Sequence, residues 1–247
     1  FDRIPLFAWI WSYDRSEELM ETVGVNVTHD ASFCRCVNGE IDMFLEEERL
    51  SRKKHDNMPV KTVMELQESN FAGVTGLEYH DYSLRDTCNF FDVIFRKKIP
   101  DHDYRTYNQH HYLHACCGFY NSGFEEADVV VVDGLGNFFD EENHECATRW
   151  HIKKPAEIKL LERQGASRFG TKTDRHGYWP MGVGMAYASI SDYLGFGQLG
   201  SGKVMGLAPY GKEDPNIKPF VIDGRVNSKL FYRTKYSANF IPYDYLP

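Results

Sequence analysis

The feature that constrains the fold most is a pattern of strand, polar loop and return strand that occurs twice in the chain. In the first copy, valines alternate with small or polar residues over 23–27, which is typical of a strand. The loop His29–Ser32 follows, and a second strand is predicted over 33–37. Asn38-Gly39 is then the two-residue turn most typical of a β-hairpin, so we expect the chain to return as a third strand over 40–47.

The second copy lies further along the chain. Four consecutive β-branched residues, Val129–Val132, predict a strand that is buried on both faces. This strand ends in the loop Asp133–Asn137, and a return strand is predicted over 145–152. Two lobes of this kind are the plan of the actin-like, or ribonuclease H-like, superfamily of sugar kinases, heat-shock chaperones and actin. The predicted fold class is therefore α/β, with mixed sheets flanked by helices; two unrelated hairpins in an α/β protein are the alternative.

Helices are predicted between and after the two copies. Pro59 opens one that extends to about Gln67, because proline suits the first turn of a helix. A further short helix is predicted over 87–95. Apolar residues at helical spacing over 183–194 predict another, which Gly195 ends.

A glycine-rich stretch follows that helix and resembles a phosphate-binding P-loop. It reads GQLGSGKV over 197–204. In a P-loop the last position is a Ser or Thr whose hydroxyl binds magnesium, and a strand precedes the glycines. Here Val204 occupies that position and a helix is predicted before it, so we do not interpret the stretch as a P-loop.

The composition is that of a folded protein without a broadly basic surface. Of its 247 residues, 42% are hydrophobic, enough for one large domain or two small ones. The chain has 28 basic and 36 acidic residues and a net charge of −8, which argues against broad nucleic-acid or membrane binding. No stretch approaches the ~20 apolar residues of a membrane-spanning helix. Six cysteines without a C-x-x-C pair predict reduced thiols and a cytoplasmic protein. The sequence leaves open whether the protein forms a homo-oligomer.

The stretch from Asn108 to Ala115 contains three of the 10 histidines of the chain. If it opens a helix, His110 and His114 lie one turn apart on one face and can bind a divalent metal ion, while His111 points elsewhere. Neutral imidazole suits iron or zinc, so Fe²⁺ is the first candidate and Zn²⁺ the second. A carboxylate from a distant part of the chain has to complete the site. The alternative is a helix start whose histidines serve capping and packing.

A zinc metalloprotease is a further alternative, because its His-Glu-x-x-His motif also places two ligands one turn apart. That motif needs a Glu as general base directly after the first His. His111 occupies this position, so the sequence argues against a protease.

The segment Glu46–Asp56 changes from acidic to basic after the third predicted strand. A charge run of this kind is usually a solvated edge. The functional alternative is a set of cations aimed at a phosphate or carboxylate. The loop His29–Ser32 lies on a tight connection between strands, where side chains and backbone amides are also available to a ligand.

Five stretches together resemble the O-carbamoyltransferases of nodulation-factor and antibiotic biosynthesis. Each is short, but their order and spacing make the match specific over about positions 23–211. The stretches are VNVTHDAS (25–32), EERLSRKKHD (47–56), QHHYLHA (109–115), VVDGLG (131–136) and GKVMGLAPYG (202–211).

The resemblance implies a domain similar to that of the tRNA threonylcarbamoyl transferases, with an actin-like fold. In such enzymes a YrdC-like domain makes carbamoyl-adenylate from carbamoyl phosphate and ATP. The actin-like domain then uses a bound iron to activate the carbamoyl group for attack by the hydroxyl of a small-molecule or glycan acceptor. The implied metal ligands here are His110 and His114, and Mg²⁺ is a further candidate ion.

The resemblance also assigns roles to two other groups of residues. The implied nucleotide contacts are Ser32, Asp133, Gly134, Gly136, Lys203 and Gly206. The residues implied to face the carbamoyl group and its phosphate are His29, Asp30, Lys54 and His55. Cations there would offset charge as adenylate leaves, and His29 would be the base for the acceptor hydroxyl.

Three features depart from the family pattern. Asn137 stands where the glycine loop commonly continues with Glu. The family's third metal ligand, an Asp in a late glycine-rich loop, has no counterpart before Pro247, and a YrdC-like domain is not found. We therefore expect the chain to be the first part of such an enzyme, completed by a YrdC-like domain or a downstream polypeptide.

We divide the chain into three parts on this basis. They are an N-terminal extension (1–22), the actin-like carbamoyltransferase domain (23–211, with lobes of about 23–125 and 126–211) and an unassigned C-terminal segment (212–247). Two other functions stay open: a non-catalytic nucleotide-binding or assembly module with this fold, and an actin-like ATPase or small-molecule kinase.

Overall fold

The computed structural model of the chain contains two compact units. They comprise residues 1–107 and 108–247. The residues whose structure is described are 21–27, 30–66, 74–79, 110–140, 143–167, 181–233 and 238–240. Both units combine helices with strands, which confirms the predicted α/β class. The helix predicted over 87–95 lies outside the described residues.

The first unit is built on a four-stranded mixed sheet. Its elements are β1 (Glu21–Val27), β2 (Ser32–Val37), β3 (Glu40–Glu46), α1 (Glu47–Ser51), α2 (Val60–Leu66) and β4 (Val74–Tyr79). The strand order is β3-β2-β1-β4, in which β1, β2 and β3 are antiparallel neighbours and β4 is parallel to β1. Asn38 and Gly39 have positive φ angles of 53° and 87°, which is the two-residue hairpin turn that the sequence predicts.

A buried carboxylate connects the two helices of the first unit. Glu47 is the first residue of α1, and its side-chain oxygens accept hydrogen bonds from the backbone N–H groups of Lys61 (3.1 Å) and Thr62 (2.8 Å). The Thr62 hydroxyl donates a third bond, at 3.1 Å. The first N–H groups of a helix have no partner inside the helix, so Glu47 satisfies donors at the start of α2.

The second unit is built on a three-stranded antiparallel sheet with the order β5-β6-β7. Its helices and strands are α3 (His110–Tyr120), β5 (Glu126–Val132), β6 (Asn143–Lys153), β7 (Glu157–Ser167), α4 (Val183–Tyr193), α5 (Ser201–Leu207), β8 (Val221–Ile222), β9 (Arg225–Val226), β10 (Phe231–Arg233) and β11 (Ala238–Phe240). Two 3₁₀ turns cover Ala208–Tyr210 and Ser228–Leu230.

The helix α3 packs one face against this sheet. Ala115 and Phe119 lie four residues apart on that face and join the core with Val131, Trp150 and Ile152. Burial of this apolar face fixes the rotation of α3 about its axis. As a result, the face that carries His110 and His114 is turned away from the core.

The prediction that the valine run is buried on both faces is wrong. Val131 is buried under α3, but Val130 and Val132 are 64% and 58% exposed. Side chains alternate between the two faces of a strand, and within the described residues only the face of β5 towards α3 is covered. The expected burial came from parallel sheets with helices on both sides, whereas β5 pairs in antiparallel fashion with β6.

The helix predicted over 183–194 is confirmed as α4. Its buried residue Ala186 packs with Met181, Leu230 and Phe231 in a second small core. Gly195 follows with a φ angle of +79°, a left-handed conformation that suits glycine at a helix end. The glycine-rich stretch after it passes directly into α5, so a helix precedes these glycines, as the sequence indicates. None of the helices in the described part of the chain is long and apolar enough to cross a membrane.

We predict that Glu47→Ala destabilises the chain by about 2–3 kcal/mol, because it leaves buried donors of α2 without an acceptor. Glu65→Ala, which removes an exposed carboxylate from the same helix, is the matched control and should change the free energy of unfolding by less than about 0.5 kcal/mol. Urea unfolding of both variants measures the difference. Equal effects would contradict the capping role of Glu47.

The orientation of α3 predicts different reactivities for two adjacent cysteines. Cys116 is buried, and burial raises the pKa of its thiol to about 11, whereas Cys117 is exposed. Alkylation requires the thiolate, so iodoacetamide should modify Cys117 at least about tenfold faster than Cys116. Peptide mass spectrometry over a time course measures both rates, and the unfolded chain, in which the two thiols should react alike, is the control. Equal rates in the folded chain would show that α3 has a different orientation.

Candidate metal site

The structure brings two histidines and one aspartate together in the second unit. The Nε2 atoms of His110 and His114 are 3.3 Å apart, as expected for rings one helical turn apart on the same face. The Nε2 atom of His110 lies 2.7 Å from Oδ2 of Asp133. One ligand atom of each residue is within 4.8 Å of the other two. A carboxylate from the loop after β5 therefore lies beside the histidine pair.

Backbone hydrogen bonds hold this loop in a fixed shape. The Asp133 N–H donates to the Cys146 carbonyl at 3.1 Å, and the Gly136 N–H donates to the Glu145 carbonyl at 2.7 Å. The Gly134 N–H donates to Oδ1 of Asp133 at 2.6 Å. One carboxylate oxygen is thus fixed by the loop itself, and the other is presented to the histidines.

Asn137 connects the same loop to the start of α3. Its Oδ1 atom accepts a hydrogen bond from the backbone N–H of His110 at 2.8 Å. This N–H is one of the donors that a helix leaves unsatisfied at its first turn. The sequence marked Asn137 only as a departure from the family pattern. Its capping role depends on a contact between residues far apart in sequence, which no local pattern predicts.

Three glycines allow close packing around the loop. A Cβ atom on Gly136 would lie 2.7 Å from Cδ2 of His111, and one on Gly182 would lie 2.7 Å from Cβ of Cys146. A Cβ atom on Gly184, in the first turn of α4, would lie 2.5 Å from the backbone nitrogen of Gly134. The start of α4 therefore packs directly on the Asp133–Gly134 peptide. Gly182 and Gly184 were not identified from the sequence, because only their tertiary contacts distinguish them.

The electrostatics keep Asp133 charged and His111 neutral. Burial by itself raises the pKa of Asp133, but hydrogen bonds from His110 and the Gly134 amide hold it well below its usual value. Burial lowers the pKa of His111 to about 4, despite the nearby carboxylate. His111 is not a member of the cluster, in agreement with the prediction that its ring points away from the His110–His114 pair.

The donor set fits a transition metal. Two imidazoles and one carboxylate, with room for further ligands, are typical of non-haem Fe²⁺ sites, and the same donors also suit Zn²⁺. The His110 ring is partly buried and the His114 ring is exposed, so an ion from solvent can reach both. The cluster thus offers the donor set of two histidines and one carboxylate.

A second polar cluster lies in the first unit. Nδ1 of His55 contacts Oδ1 of Asp30 at 2.6 Å, and the Lys54 ammonium contacts both oxygens of Glu48 at 2.9 and 3.0 Å. The His55 backbone N–H also donates to Glu48, at 3.1 Å. The bonds from Lys54 and then His55 lower the pKa of Glu48. The structure thus brings together three of the four residues implied to face the carbamoyl group, while His29 lies outside the described residues.

Glu48 was not singled out from the sequence, although it organises this second cluster. It lies in a charge run that is usually solvated, and its role becomes visible only when α1 and the following loop fold back on each other. A carboxylate oxygen of Glu48, one of Asp30 and a ring nitrogen of His55 all lie within 4.8 Å of one another, so together they offer three donor atoms to a cation. The Lys54 ammonium already occupies both oxygens of Glu48, so this cluster is an ion-paired arrangement.

The remaining residues implied to bind the nucleotide are spread over both units. Ser32 begins β2 and pairs with Asn26 and Glu46 in the sheet. Lys203 and Gly206 lie on the exposed helix α5, where the Lys203 ammonium is 5.7 Å from the centre of the Phe196 ring. Within the described residues, no hydrogen bond joins α5 to the Asp133 loop. Their nucleotide roles stay predictions.

The chain belongs to the carbamoyltransferase family. The sequence model of the carbamoyltransferase N-terminus matches residues 79–241, which include the whole histidine–aspartate cluster. Nodulation protein NolNO of Sinorhizobium fredii is 24% identical over 216 residues. Nodulation protein NolO of Bradyrhizobium diazoefficiens is 33% identical over 107 residues, 42% of this chain and 16% of that protein. An uncharacterized protein, sll1178, of Synechocystis is 23% identical over 248 residues.

These relatives are longer than the chain described here. The similarity covers 76% of this chain and 28% of the NolNO protein, and 81% of this chain and 36% of the Synechocystis protein. The chain therefore spans about a third or less of the length of the relatives that it matches, and it corresponds to one part of them.

We predict that Gly136→Ala destabilises the chain by about 1–3 kcal/mol, because the new methyl group would overlap the buried ring of His111 and Cβ of Glu145. Gly134→Ala is the matched control in the same loop: a Cβ atom there meets nothing within 4 Å, and its effect should be below about 0.5 kcal/mol. Thermal and urea unfolding measure both. A harmless Gly136→Ala would contradict the packing of this loop on His111.

Proposed function

We propose that this chain is the metal- and nucleotide-binding part of an O-carbamoyltransferase. The observation that carries the proposal is the cluster of His110, His114 and Asp133 within the segment that matches the carbamoyltransferase N-terminus. Family membership supplies the class of reaction, and the cluster supplies the groups that such a reaction needs. We propose Asp133 as the third metal ligand because its carboxylate lies beside the histidine pair, and this role is distinct from the nucleotide contact implied by the sequence resemblance.

The proposed metal is Fe²⁺, with Zn²⁺ as the second candidate. When bound, it would act as a Lewis acid on the carbamoyl carbonyl. To hold it, His110 and His114 would present the lone pairs of their Nε2 atoms. Nε2 of His110 would then give up the proton that it donates to Asp133 in the metal-free chain, and each neutral ring would carry its proton on Nδ1. The low pKa of Asp133 keeps its carboxylate ionised and ready to bind at neutral pH.

In the proposed reaction, the hydroxyl oxygen of a small-molecule or glycan acceptor attacks the carbonyl carbon of carbamoyl-adenylate. The bond between that carbon and the adenylate oxygen breaks, AMP leaves, and the hydroxyl proton passes to a base, for which we propose His29. Lys54 and His55 would face the carbamoyl group and phosphate. The Lys54 ammonium is held by Glu48 and is otherwise largely exposed, so it is accessible to an anion.

We further propose that the two units are actin-like lobes and that the whole enzyme is related to the tRNA threonylcarbamoyl transferases. Support comes from a pattern of three antiparallel strands that occurs in both units, as β1-β2-β3 and β5-β6-β7, with an aspartate after the first strand of each, at Asp30 and Asp133. Carbamoyl-adenylate would be supplied by a YrdC-like domain, from ATP and carbamoyl phosphate. The identity of the acceptor hydroxyl and the oligomeric state are properties of the whole protein, of which this chain is one part.

We predict that the purified chain binds about one Fe²⁺ or Zn²⁺ ion and that His110→Ala/His114→Ala weakens binding by at least about 100-fold, because two of three ligands are lost. Asp133→Asn should weaken metal binding by at least about tenfold. Competition titration under anaerobic conditions measures the dissociation constants. His151→Ala, which removes a histidine outside the cluster, is the control and should bind metal like the natural chain. Unchanged metal content in the double variant would overturn the proposed site.

The role of Asp133 and the reaction are tested separately. If Asp133→Asn lowers affinity for an adenylate analogue but not for the metal, the residue is a nucleotide contact, as the resemblance implies. Carbamoyl transfer is then assayed with the chain alone and with a YrdC-like domain added. ATP hydrolysis without any requirement for carbamoyl phosphate would favour an ATPase or kinase instead.

A further inference from the structure

In the sequence, His111 lies between the two cluster histidines, His110 and His114, and its side chain is fully buried. Its Nδ1 atom is 3.0 Å from the hydroxyl oxygen of Thr148. Its Nε2 atom is buried and has no hydrogen-bond partner among the described residues. A buried polar atom without a partner costs about 1–3 kcal/mol, so stability alone does not account for an imidazole at this position.

A chain of donors behind the ring determines which nitrogen carries the proton. The indole Nε1 of Trp150 donates to the Thr148 hydroxyl oxygen at 2.8 Å, and an indole nitrogen can only donate. The buried Thr148 hydroxyl therefore has its own proton to donate, and Nδ1 of His111 is the acceptor within reach. A neutral imidazole whose Nδ1 atom accepts carries its proton on Nε2.

The protonated Nε2 atom lies next to the ligand carboxylate. It is 4.0 Å from Oδ2 of Asp133, the same oxygen that His110 contacts at 2.7 Å. Gly136 packs against the same nitrogen, because a Cβ atom on Gly136 would lie 2.8 Å from Nε2 of His111. The donor thus has the carboxylate on one side and packed backbone on the other.

We propose that His111 is a positioning residue for Asp133. Its Nε2–H group donates to Oδ2 when that carboxylate holds the metal ion, and the Trp150–Thr148 pair fixes the ring and its tautomer for this purpose. The inference rests on the proposed metal site. It also follows general coordination chemistry, in which ligand carboxylates are oriented by outer hydrogen bonds whose loss lowers metal affinity by about 10–100-fold.

The test compares Thr148→Val with Thr148→Ser. Valine has nearly the same shape but cannot donate to His111, so the metal dissociation constant should rise by about 10–100-fold. Serine keeps the hydroxyl and should bind within about threefold of the natural chain. His111→Phe, which retains a buried ring without the donor, should weaken binding as much as Thr148→Val and serves if the valine variant fails to fold. Circular dichroism and thermal unfolding check each variant.

A second readout does not involve metal. In the metal-free chain labelled with ¹⁵N-histidine, long-range ¹H–¹⁵N spectra should show His111 protonated at Nε2 and unprotonated at Nδ1, with the signal assigned by its loss in His111→Phe. Protonation at Nδ1, or equal metal affinities of the Thr148 variants, would overturn the inference. A natural chain that binds no metal would instead overturn the proposed function, and the tautomer would still report whether the Thr148 hydroxyl controls the ring.

Discussion

The site depends on the attachment of one loop to the start of one helix. The loop after β5 contributes Asp133 to the cluster, and through Asn137 it also caps the first turn of α3, which contributes the two histidines. The helix and the loop therefore position each other. The apolar face of α3 fixes its rotation, and the loop fixes its beginning. In a chain with the same histidines but a displaced loop, the histidine pair would have no carboxylate beside it.

In the first unit, the adjacent residues Glu47 and Glu48 have different structural roles. Glu47 is buried and caps α2, whereas Glu48 holds Lys54 and the backbone of His55. Both lie in the charge run that, from sequence alone, is most often a solvated edge. In three dimensions the run is internally paired, because a short helix and a left-handed turn at Arg52 bring its basic half back onto its acidic half. Arg49, Lys53 and Lys54 are thus each held by a carboxylate of the same run.

The sequence predicted those features that depend on local chemistry. Alternating valines, the Asn38-Gly39 turn and the spacing of His110 and His114 each involve only a few neighbouring residues, and each appears in the structure as expected. The approach of Asp133 to the histidines depends on tertiary packing instead, and only the need for some carboxylate could be anticipated. The predicted burial of the valine run was wrong because four β-branched residues indicate a strand but not whether one or both of its faces are covered.

The contact of Gly184 with the Asp133–Gly134 peptide has a mechanical consequence. Because no side chain separates α4 from this peptide, the helix and the loop meet backbone to backbone. Such a contact has no rotamers that can absorb a displacement. We therefore expect that α4 cannot shift along its axis without displacing the Asp133–Gly134 peptide, and with it the backbone that carries the Asp133 carboxylate.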